Sequence, residues 1–126
     1  MKSFPEESRR SFRFRRKERL KKRSAIREVF KKGRRVTCFG AKLFVLKNDL
    51  SYNRIGFTFC HKFGNAADRN RARRLGREAY RYMGYALAIG YDMVLLLYPG
   101  EDTFSARMEQ LRLLFSKAGL LYGNTV

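Results

Sequence analysis

Residues 65–78, N-A-A-D-R-N-R-A-R-R-L-G-R-E, constrain the fold more than any other segment of the chain. At an advance of about 100° per residue, a helix places one group of polar side chains within an arc of roughly 140°: Arg69, Asn70, Arg73, Arg74, Arg77 and Arg81. A separate arc of roughly 100° holds apolar side chains, namely Ala72, Leu75, Ala79, Tyr82 and Met83. The segment is therefore predicted to be a helix with one face against a core and one basic face turned outward.

The basic face favours a polyanion as its partner. Like charges on neighbouring helical positions destabilise a helix unless a ligand neutralises them, and this arc holds five arginines and no acid. Arginine is a planar, permanently charged fork that pairs with phosphate oxygens through two parallel hydrogen bonds. A merely solvated face is the alternative, and nucleic acid is the preferred interpretation.

The composition supports a nucleic-acid partner. The 126 residues include 29 Lys and Arg against 11 Asp and Glu, a net charge of +18, which predicts counterion release and strongly salt-dependent binding. Cys38 and Cys60 lack metal-ligand spacing and are expected to be reduced, although a disulfide stays open. The apolar run at residues 93–98 is too short to span a bilayer, and no apolar signal region follows the basic N-terminus. We therefore expect a cytoplasmic protein without a membrane partner.

Charge and hydrophobic patterning divide the chain into three parts. Residues 1–16 are expected to form a disordered basic arm that orders on RNA, residues 17–118 a single domain, and residues 119–126 a frayed tail. A first helix is predicted from about residue 20, with Ser24 as its cap and Gly33 as its stop.

The strands follow from β-branched and aromatic content. Residues 36–47 read as one strand with a bulge at Gly40, or as two strands that split there. A turn at residues 48–51 leads to an alternating strand at 54–60, and residues 92–98 form an apolar strand that is expected to be central.

Two helices follow the predicted strands in a mixed order. The basic helix is expected to start after the cap Asn65, with Asp68 in its first turn, and to run to about Leu87. Asp102 or Thr103 would cap a last helix with the apolar stripe Phe104, Met108, Leu111 and Phe115. This order predicts an α+β sandwich in which helices pack on one sheet. A parallel pairing across the basic helix would follow the general right-handed crossover rule.

The residues offer no catalytic constellation and no metal-ligand set. The acids are scattered, His61 is the only histidine, and there is no glycine-rich phosphate loop. The residues alone therefore indicate a single-domain RNA or DNA binder without catalytic equipment.

A resemblance to a known family sharpens this prediction. The pattern G-N-A-x-x-R-N-R-x-R-R-x-x-R-E at residues 64–78 resembles the signature helix of the protein subunit of bacterial ribonuclease P. Arg19-Leu20 with V-F-K-K-G at residues 29–33 fits the family's first helix, and the apolar strand after Asp92 fits its fourth strand. The resemblance covers roughly residues 17–118, in the same order and spacing.

The resemblance implies a function and a fold. The family is the small partner of a catalytic RNA, and the ribonucleoprotein removes the 5′ leader from precursor tRNA. The protein is non-catalytic, and the RNA with bound Mg²⁺ carries out the hydrolysis. The implied fold is a two-layer αβββαβα sandwich, as in the second domain of ribosomal protein S5. It has a mixed sheet of about four strands and a left-handed βαβ crossover, which replaces the right-handed expectation.

The resemblance also implies site residues. Those matching its RNA-binding string, with two from the preceding turn, are Arg69, Asn70, Arg71, Arg73, Arg74, Arg77, His61 and Lys62. Those matching a cleft for the single-stranded leader are Phe30, Phe44, Ile26 and Arg19. Unpaired bases stack on exposed aromatic rings, while an ordinary core role is the alternative for both phenylalanines.

The chain departs from the family pattern at three places. Ile26 stands where a second cleft aromatic is common, His61 replaces a lysine of a Ser-Lys-Lys segment, and Tyr98 replaces an arginine. A structural ribosomal or RNA-chaperone protein would share the charge but does not explain the ordered arginine string. A membrane-active cationic protein is disfavoured because an interfacial helix needs a larger apolar face.

Overall fold

The computed structural model describes residues 14–121, so the expectations for residues 1–13 and 122–126 lie outside it. The helices and strands, in chain order, are α1 (Arg23–Lys32), β1 (Arg34–Cys38), β2 (Ala41–Lys47), β3 (Arg54–Phe59), α2 (Ala66–Met83), β4 (Tyr91–Leu97) and α3 (Phe104–Lys117). Single 3-10 turns occur at Arg16–Glu18 and Gly84–Ala86. The chain stays packed beyond the expected domain end at residue 118, because Leu120 is buried and Leu121 pairs with Leu87.

The four strands form one mixed sheet in the order β1-β2-β4-β3, with antiparallel β1/β2 and β2/β4 pairs and a parallel β3/β4 pair. Segment 36–47 is two strands rather than one, split by a two-residue turn at Phe39 and Gly40. Gly40 has φ of +84°, which glycine adopts without strain, so it makes the turn and not a bulge.

The connection from β2 to β3 is not a hairpin, because β4 lies between these two strands. The expected turn at residues 48–51 is therefore part of a link across the end of the sheet. Arg54 on β3 donates to both carboxylate oxygens of Asp92 on β4, at 2.8 and 2.7 Å. Asn48 donates to the same carboxylate at 2.9 Å, so this cluster holds the β2–β3 link against β4. β4 is a central strand, as predicted.

Alternate residues of the central strands face different helices, as the two-residue period of a strand requires. One face packs Leu43, Val45, Met93 and Leu95 against α2 and α3. The other face packs Phe44, Leu46 and Val94 against α1, which covers only part of it. The α+β class and mixed four-stranded sheet are confirmed, while the left-handed sense of the β3-α2-β4 crossover stays a prediction.

The observed ends of the helices match the predicted ones only in part. Asn65 caps α2, accepting from the Asp68 amide at 2.9 Å while the Asp68 carboxylate accepts from the Asn65 amide at 3.1 Å. Ser24 lies inside α1 rather than capping it, because the helix already begins at Arg23. Thr103 rather than Asp102 caps α3, and α2 ends at Met83, not Leu87, where Gly84 opens a 3-10 turn.

The two cysteines are free and lie apart. Cys38 ends edge strand β1 and Cys60 follows edge strand β3, both level with Leu97 of β4. Three strand spacings separate them, about 14 Å at 4.7–4.9 Å each, whereas a disulfide requires Cα atoms within about 7 Å. The open question of a disulfide is therefore answered against one within a single chain.

Candidate RNA-binding groove

Helix α2 is seated directly on the sheet. Gly76 is buried, and a Cβ atom at this position would lie 2.5 Å from Cε2 of Phe57 on β3. Such a distance is too short for any side chain, so the helix backbone rests on the phenylalanine ring. This close packing sets the distance between the basic residues of α2 and the strand beside them.

The buried face of α2 is rotated from the predicted one. Tyr80 falls within the predicted basic arc, between Arg69 and Arg73, yet it is buried, with its ring 5.2 Å from that of Phe14. Tyr82, which was predicted to lie on the apolar face of the helix, is 56% exposed. Taken at 100° per residue, the shift is about 60°. It turns Arg69, Arg73 and Arg77 toward β3 and the N-terminal segment.

Two adjoining hollows follow this side of α2, with volumes of about 420 and 290 Å³. Three arginines line both hollows, namely Arg19, Arg73 and Arg77. We call this surface the basic groove and define it by Arg19, Ile26, Asn70, Arg73, Arg74 and Arg77. It runs from the exposed end of α1 along the arginine row of α2.

The basic groove concentrates positive charge without matching acceptors. Burial, and then repulsion from Arg19 and Arg73, lowers the pKa of Arg77 below the usual arginine value. The Nε atoms of Arg19, Arg69 and Arg77 are buried and lack a hydrogen-bond partner among residues 14–121, as does that of Arg107 on α3. Arg19, Arg73 and Arg77 form no ion pair with an acid among these residues, so their side of α2 is suited to an anion that supplies oxygens.

Phe59 at the end of β3 holds two of these arginines. The guanidinium carbons of Arg69 and Arg73 lie 5.8 and 5.1 Å from the centre of its ring. Cation–π contacts of this kind orient arginine without consuming its hydrogen-bond donors. Sequence analysis missed Phe59 as a site residue. Its signal was an aromatic residue at the strand end that faces the start of the basic helix.

The remaining residues of the arginine string lie at different places. Asn70 accepts from Arg73 at 2.9 Å, and Arg74 is exposed at the rim of the groove. Arg71 points to the opposite flank, 3.5 Å from the carboxylate of Asp102. The structure therefore does not bring Arg71 together with the groove.

The predicted site residues before α2 and the last arginine of its basic arc lie outside the basic groove as defined. The exposed residues His61 and Lys62 lie in the turn before α2, where the carbonyl of His61 accepts from Arg69 at 3.4 Å. Glu78 pairs with Arg81 at 3.0 Å, so the arc expected to be free of acids has one at its margin. Arg81 is thereby partly neutralised.

The expected leader-cleft residues divide into two neighbouring groups. Arg19 and Ile26 line the smaller hollow with Arg73. Phe30 and Phe44 form an edge-on ring pair 4.6 Å apart on the sheet face under α1, and both are half-buried. They pack against the small core of α1 and still present ring surface, so each of the two expected roles is compatible with their position.

The same sheet face continues past α1. Nζ of Lys42 lies 5.4 Å from the ring centre of Tyr98, beyond the Phe30–Phe44 pair. Sequence analysis missed Lys42, although its position two residues before Phe44 on the strand places it on the same face.

Among residues 14–121, no three His, Cys, Asp or Glu side chains are placed to share a metal ion. Within the same range, none of the helices combines the length and the apolar character needed to cross a bilayer.

Comparisons with known proteins place this geometry in a family. The family model for ribonuclease P matches residues 14–119. The ribonuclease P protein component of Alkaliphilus metalliredigens is 35% identical over 104 residues, covering 81% of this chain and 94% of the relative. That of Gluconacetobacter diazotrophicus is 42% identical over 106 residues, covering 81% and 91%.

Solved structures agree with the fold. The RNase P protein of Staphylococcus aureus superimposes with a TM-score of 0.74 at 21% identity, over 82% of this chain and 97% of that one. The RNase P protein of Thermotoga maritima gives a TM-score of 0.69 at 28% identity, over 79% and 96%. The matches favour ribonuclease P over the ribosomal or RNA-chaperone alternative. The chain belongs to the ribonuclease P protein family and is an RNA-binding component of that ribonucleoprotein.

Proposed function

We propose that the arginine row of α2 binds the catalytic RNA of ribonuclease P, while Arg19 and Ile26 at the α1 end of the basic groove and the sheet face beside them hold the 5′ leader of precursor tRNA. The RNA with its Mg²⁺ cleaves the phosphodiester bond, and this chain, which acts in the cytoplasm, positions both RNAs. The single observation that carries the proposal is the cluster of Arg19, Arg73 and Arg77, which lines both hollows and forms no ion pair with an acid among residues 14–121. Phosphate oxygens along an RNA backbone would supply the missing negative charge.

The leader would be bound as a single strand. Phe44 and Tyr98 lie on one sheet face with Phe30 of α1 against Phe44, and base–aromatic stacking contributes about 1–3 kcal/mol per base with little sequence preference. Lys42 beside Tyr98 and Arg19 at the groove would pair with phosphates. This combination of rings and cations suits leaders of varied sequence.

Mg²⁺ is assigned to the RNA, whose phosphate oxygens and bound waters are the hard ligands that this ion prefers. The role of this chain is electrostatic. Arginines at the groove would neutralise phosphates of both RNAs and reduce the repulsion that Mg²⁺ must otherwise screen. The chain is therefore expected to lower the Mg²⁺ concentration needed for cleavage.

The test is leader release by the purified RNA across a Mg²⁺ titration, with and without the protein. The protein is expected to shift the midpoint to lower Mg²⁺ and to release no leader by itself. Replacing Arg73 and Arg74 by alanine should remove most of this shift and reduce the salt slope of RNA binding by about 1 per lost phosphate contact.

The matched control is Arg112→Ala, which removes an exposed arginine of α3 that pairs with Glu109. This variant should behave as wild type in the titration. A Mg²⁺ midpoint that the wild-type protein does not change would contradict the proposal. Co-purification with ribosomal subunits instead of a free RNA would favour a structural ribosomal protein.

A further inference from the structure

Phe59 ends strand β3 beside the start of α2, and two arginines of that helix lie against its ring. Arg69 and Arg73 are about one helical turn apart, and like charges at this spacing normally destabilise a helix. Their guanidinium carbons nevertheless lie only 5.8 and 5.1 Å from the centre of the same ring. Because the face of an aromatic ring carries negative potential, the ring attracts both cations and offsets their repulsion.

The two arginines are also held on their other sides. The guanidinium group of Arg69 donates to the carbonyls of Cys60 and His61 in the turn before α2, at 3.5 and 3.4 Å. That of Arg73 donates to the side chain of Asn70 at 2.9 Å. Neither arginine forms an ion pair with an acid in the part of the chain that the structure describes. Arg69 is thereby tied to the turn, while Arg73 lines both hollows.

Phe59 is itself fixed by packing. Its half-buried ring packs against the core between the sheet and the helices α2 and α3, and its centre lies 4.8 Å from that of the Phe63 ring. A ring held in this way cannot follow mobile side chains, so it determines where the two guanidinium groups lie. The position of the arginine pair is therefore set by β3 as well as by α2.

We infer that Phe59 is a positioning residue for RNA binding, whose ring holds the guanidinium groups of Arg69 and Arg73 where they bind phosphates of the catalytic RNA. The role rests on the proposed function, since it requires α2 to bind that RNA. Arginines held by a ring keep N–H donors for phosphate oxygens, and they lose less conformational freedom when RNA binds. The negative potential of the ring, and not only its bulk, therefore strengthens RNA binding.

The test is equilibrium binding of the full chain to the catalytic RNA, with Phe59 replaced by phenylalanine analogues that carry one, two or three ring fluorines. Fluorine withdraws negative potential from the ring face and barely changes the size of the ring. The affinity should fall with each added fluorine, to about fivefold below wild type with three. Phe59→Leu, which keeps an apolar side chain without a ring, should weaken binding by at least as much.

The same fluorine series at Phe63 is the matched control. This ring is also half-buried, and among residues 14–121 no guanidinium or ammonium group lies over it. The affinity should stay within about twofold of wild type across the Phe63 series. Urea denaturation of each variant shows that the chain is folded under the binding conditions.

A second measurement combines Phe59→Leu with the double substitution Arg69→Ala and Arg73→Ala. With both cations removed, the loss of the ring should have no further effect on RNA binding. A role in packing alone would instead give the same additional loss as in the wild-type chain, because it does not depend on the two arginines.

The outcomes separate this role from the proposed function. Constant affinity across the Phe59 fluorine series, with weakened binding in Arg73→Ala, overturns the positioning role and leaves the groove proposal intact. Equal losses in the Phe59 and Phe63 series, or a Phe59→Leu loss that persists without the two arginines, overturn it as well. If the wild-type chain does not bind the catalytic RNA, the proposed function and the positioning role fail together.

Discussion

A buried arginine, Arg107, and a half-buried one, Arg77, have opposite surroundings in this protein. Arg107 on α3 is 1% exposed and donates to Asp102 at 2.8 Å and to Gln110 at 2.7 Å. Arg77 on α2 is half-buried, and its charged neighbours are Arg19 and Arg73, which together with burial lower its pKa. An arginine whose charge is neutralised inside the chain stabilises the fold, whereas one surrounded by like charges is available to an external anion.

The Arg107 region is a closed network that joins separate parts of the chain. Gln110 accepts from Arg107 and donates to the carbonyl of Phe39 at the β1–β2 turn, at 3.1 Å. Asp102 accepts from Arg107 and also pairs with Arg71 on α2. The network therefore holds a hairpin and two helices in place. Nothing equivalent neutralises the arginines of the basic groove within residues 14–121.

The largest loss of stability is expected for Arg107→Ala. Removing one partner from a buried, hydrogen-bonded ion pair typically destabilises a protein by 3–5 kcal/mol. Because Arg71 still pairs with Asp102, we expect the free energy of unfolding to fall by about 3 kcal/mol, measured by urea denaturation. The exposed-pair control Arg112→Ala should change it by less than about 1 kcal/mol. Equal losses in the two variants would mean that Arg107 is not structural.

The second prediction concerns the contact between Gly76 of α2 and Phe57 of β3, which positions the arginine row. Gly76→Ala places a methyl group 2.5 Å from the ring of Phe57, and overpacking of this kind costs about 1–3 kcal/mol, partly offset by better helix propensity. We expect a net loss of about 2 kcal/mol in urea denaturation, together with weaker RNA binding as α2 is displaced. Gly100→Ala is the control, because a Cβ atom there meets nothing within 4 Å. A fully stable Gly76→Ala protein would contradict this packing.

These contacts show how far the sequence alone could lead. The cap at Asn65, the arginine row and the central apolar strand follow from local patterns and are confirmed. The rotation of α2 could not be predicted from such patterns. Tyr80 packs against Phe14, a residue distant in sequence that a helical projection of α2 does not include.

Sheet order and site residues show the same limit. The placement of β4 between β2 and β3 depends on pairing between distant segments, so the turn predicted at residues 48–51 did not indicate which strands lie side by side. The family resemblance supplied the arginine string as a unit, but only the structure separates Arg71, which pairs with Asp102, from the residues that line the groove.

Arg77→Ala tests whether this arginine of the basic groove binds RNA without stabilising the fold. It should weaken binding of the catalytic RNA about tenfold, or about 1.4 kcal/mol, and reduce the salt slope by about 0.9 if one phosphate contact is lost. The free energy of unfolding should stay the same or rise slightly, because repulsion from Arg19 and Arg73 is relieved. Filter binding and urea denaturation on the same samples measure both effects. Destabilisation comparable to that of Arg107→Ala would erase the distinction between the two arginines.

The smallest effect is a pH dependence that tests how tightly the groove side is packed. Burial raises the pKa of Tyr80 above its ordinary value of 10.0, so the folded state holds the phenolic proton more tightly than the unfolded state. This contribution to stability is complete below pH 10 and is lost as the pH rises above 10, by about 1.4 kcal/mol per pH unit until the folded pKa is reached. The free energy of unfolding of wild type minus that of Tyr80→Phe should therefore fall by about 1.4 kcal/mol between pH 9 and pH 11, and be constant between pH 7 and pH 9. Because cysteine and lysine titrate in both proteins, the difference isolates Tyr80. A constant difference up to pH 11 would show that Tyr80 ionises freely and that the contact between Phe14 and α2 is loose.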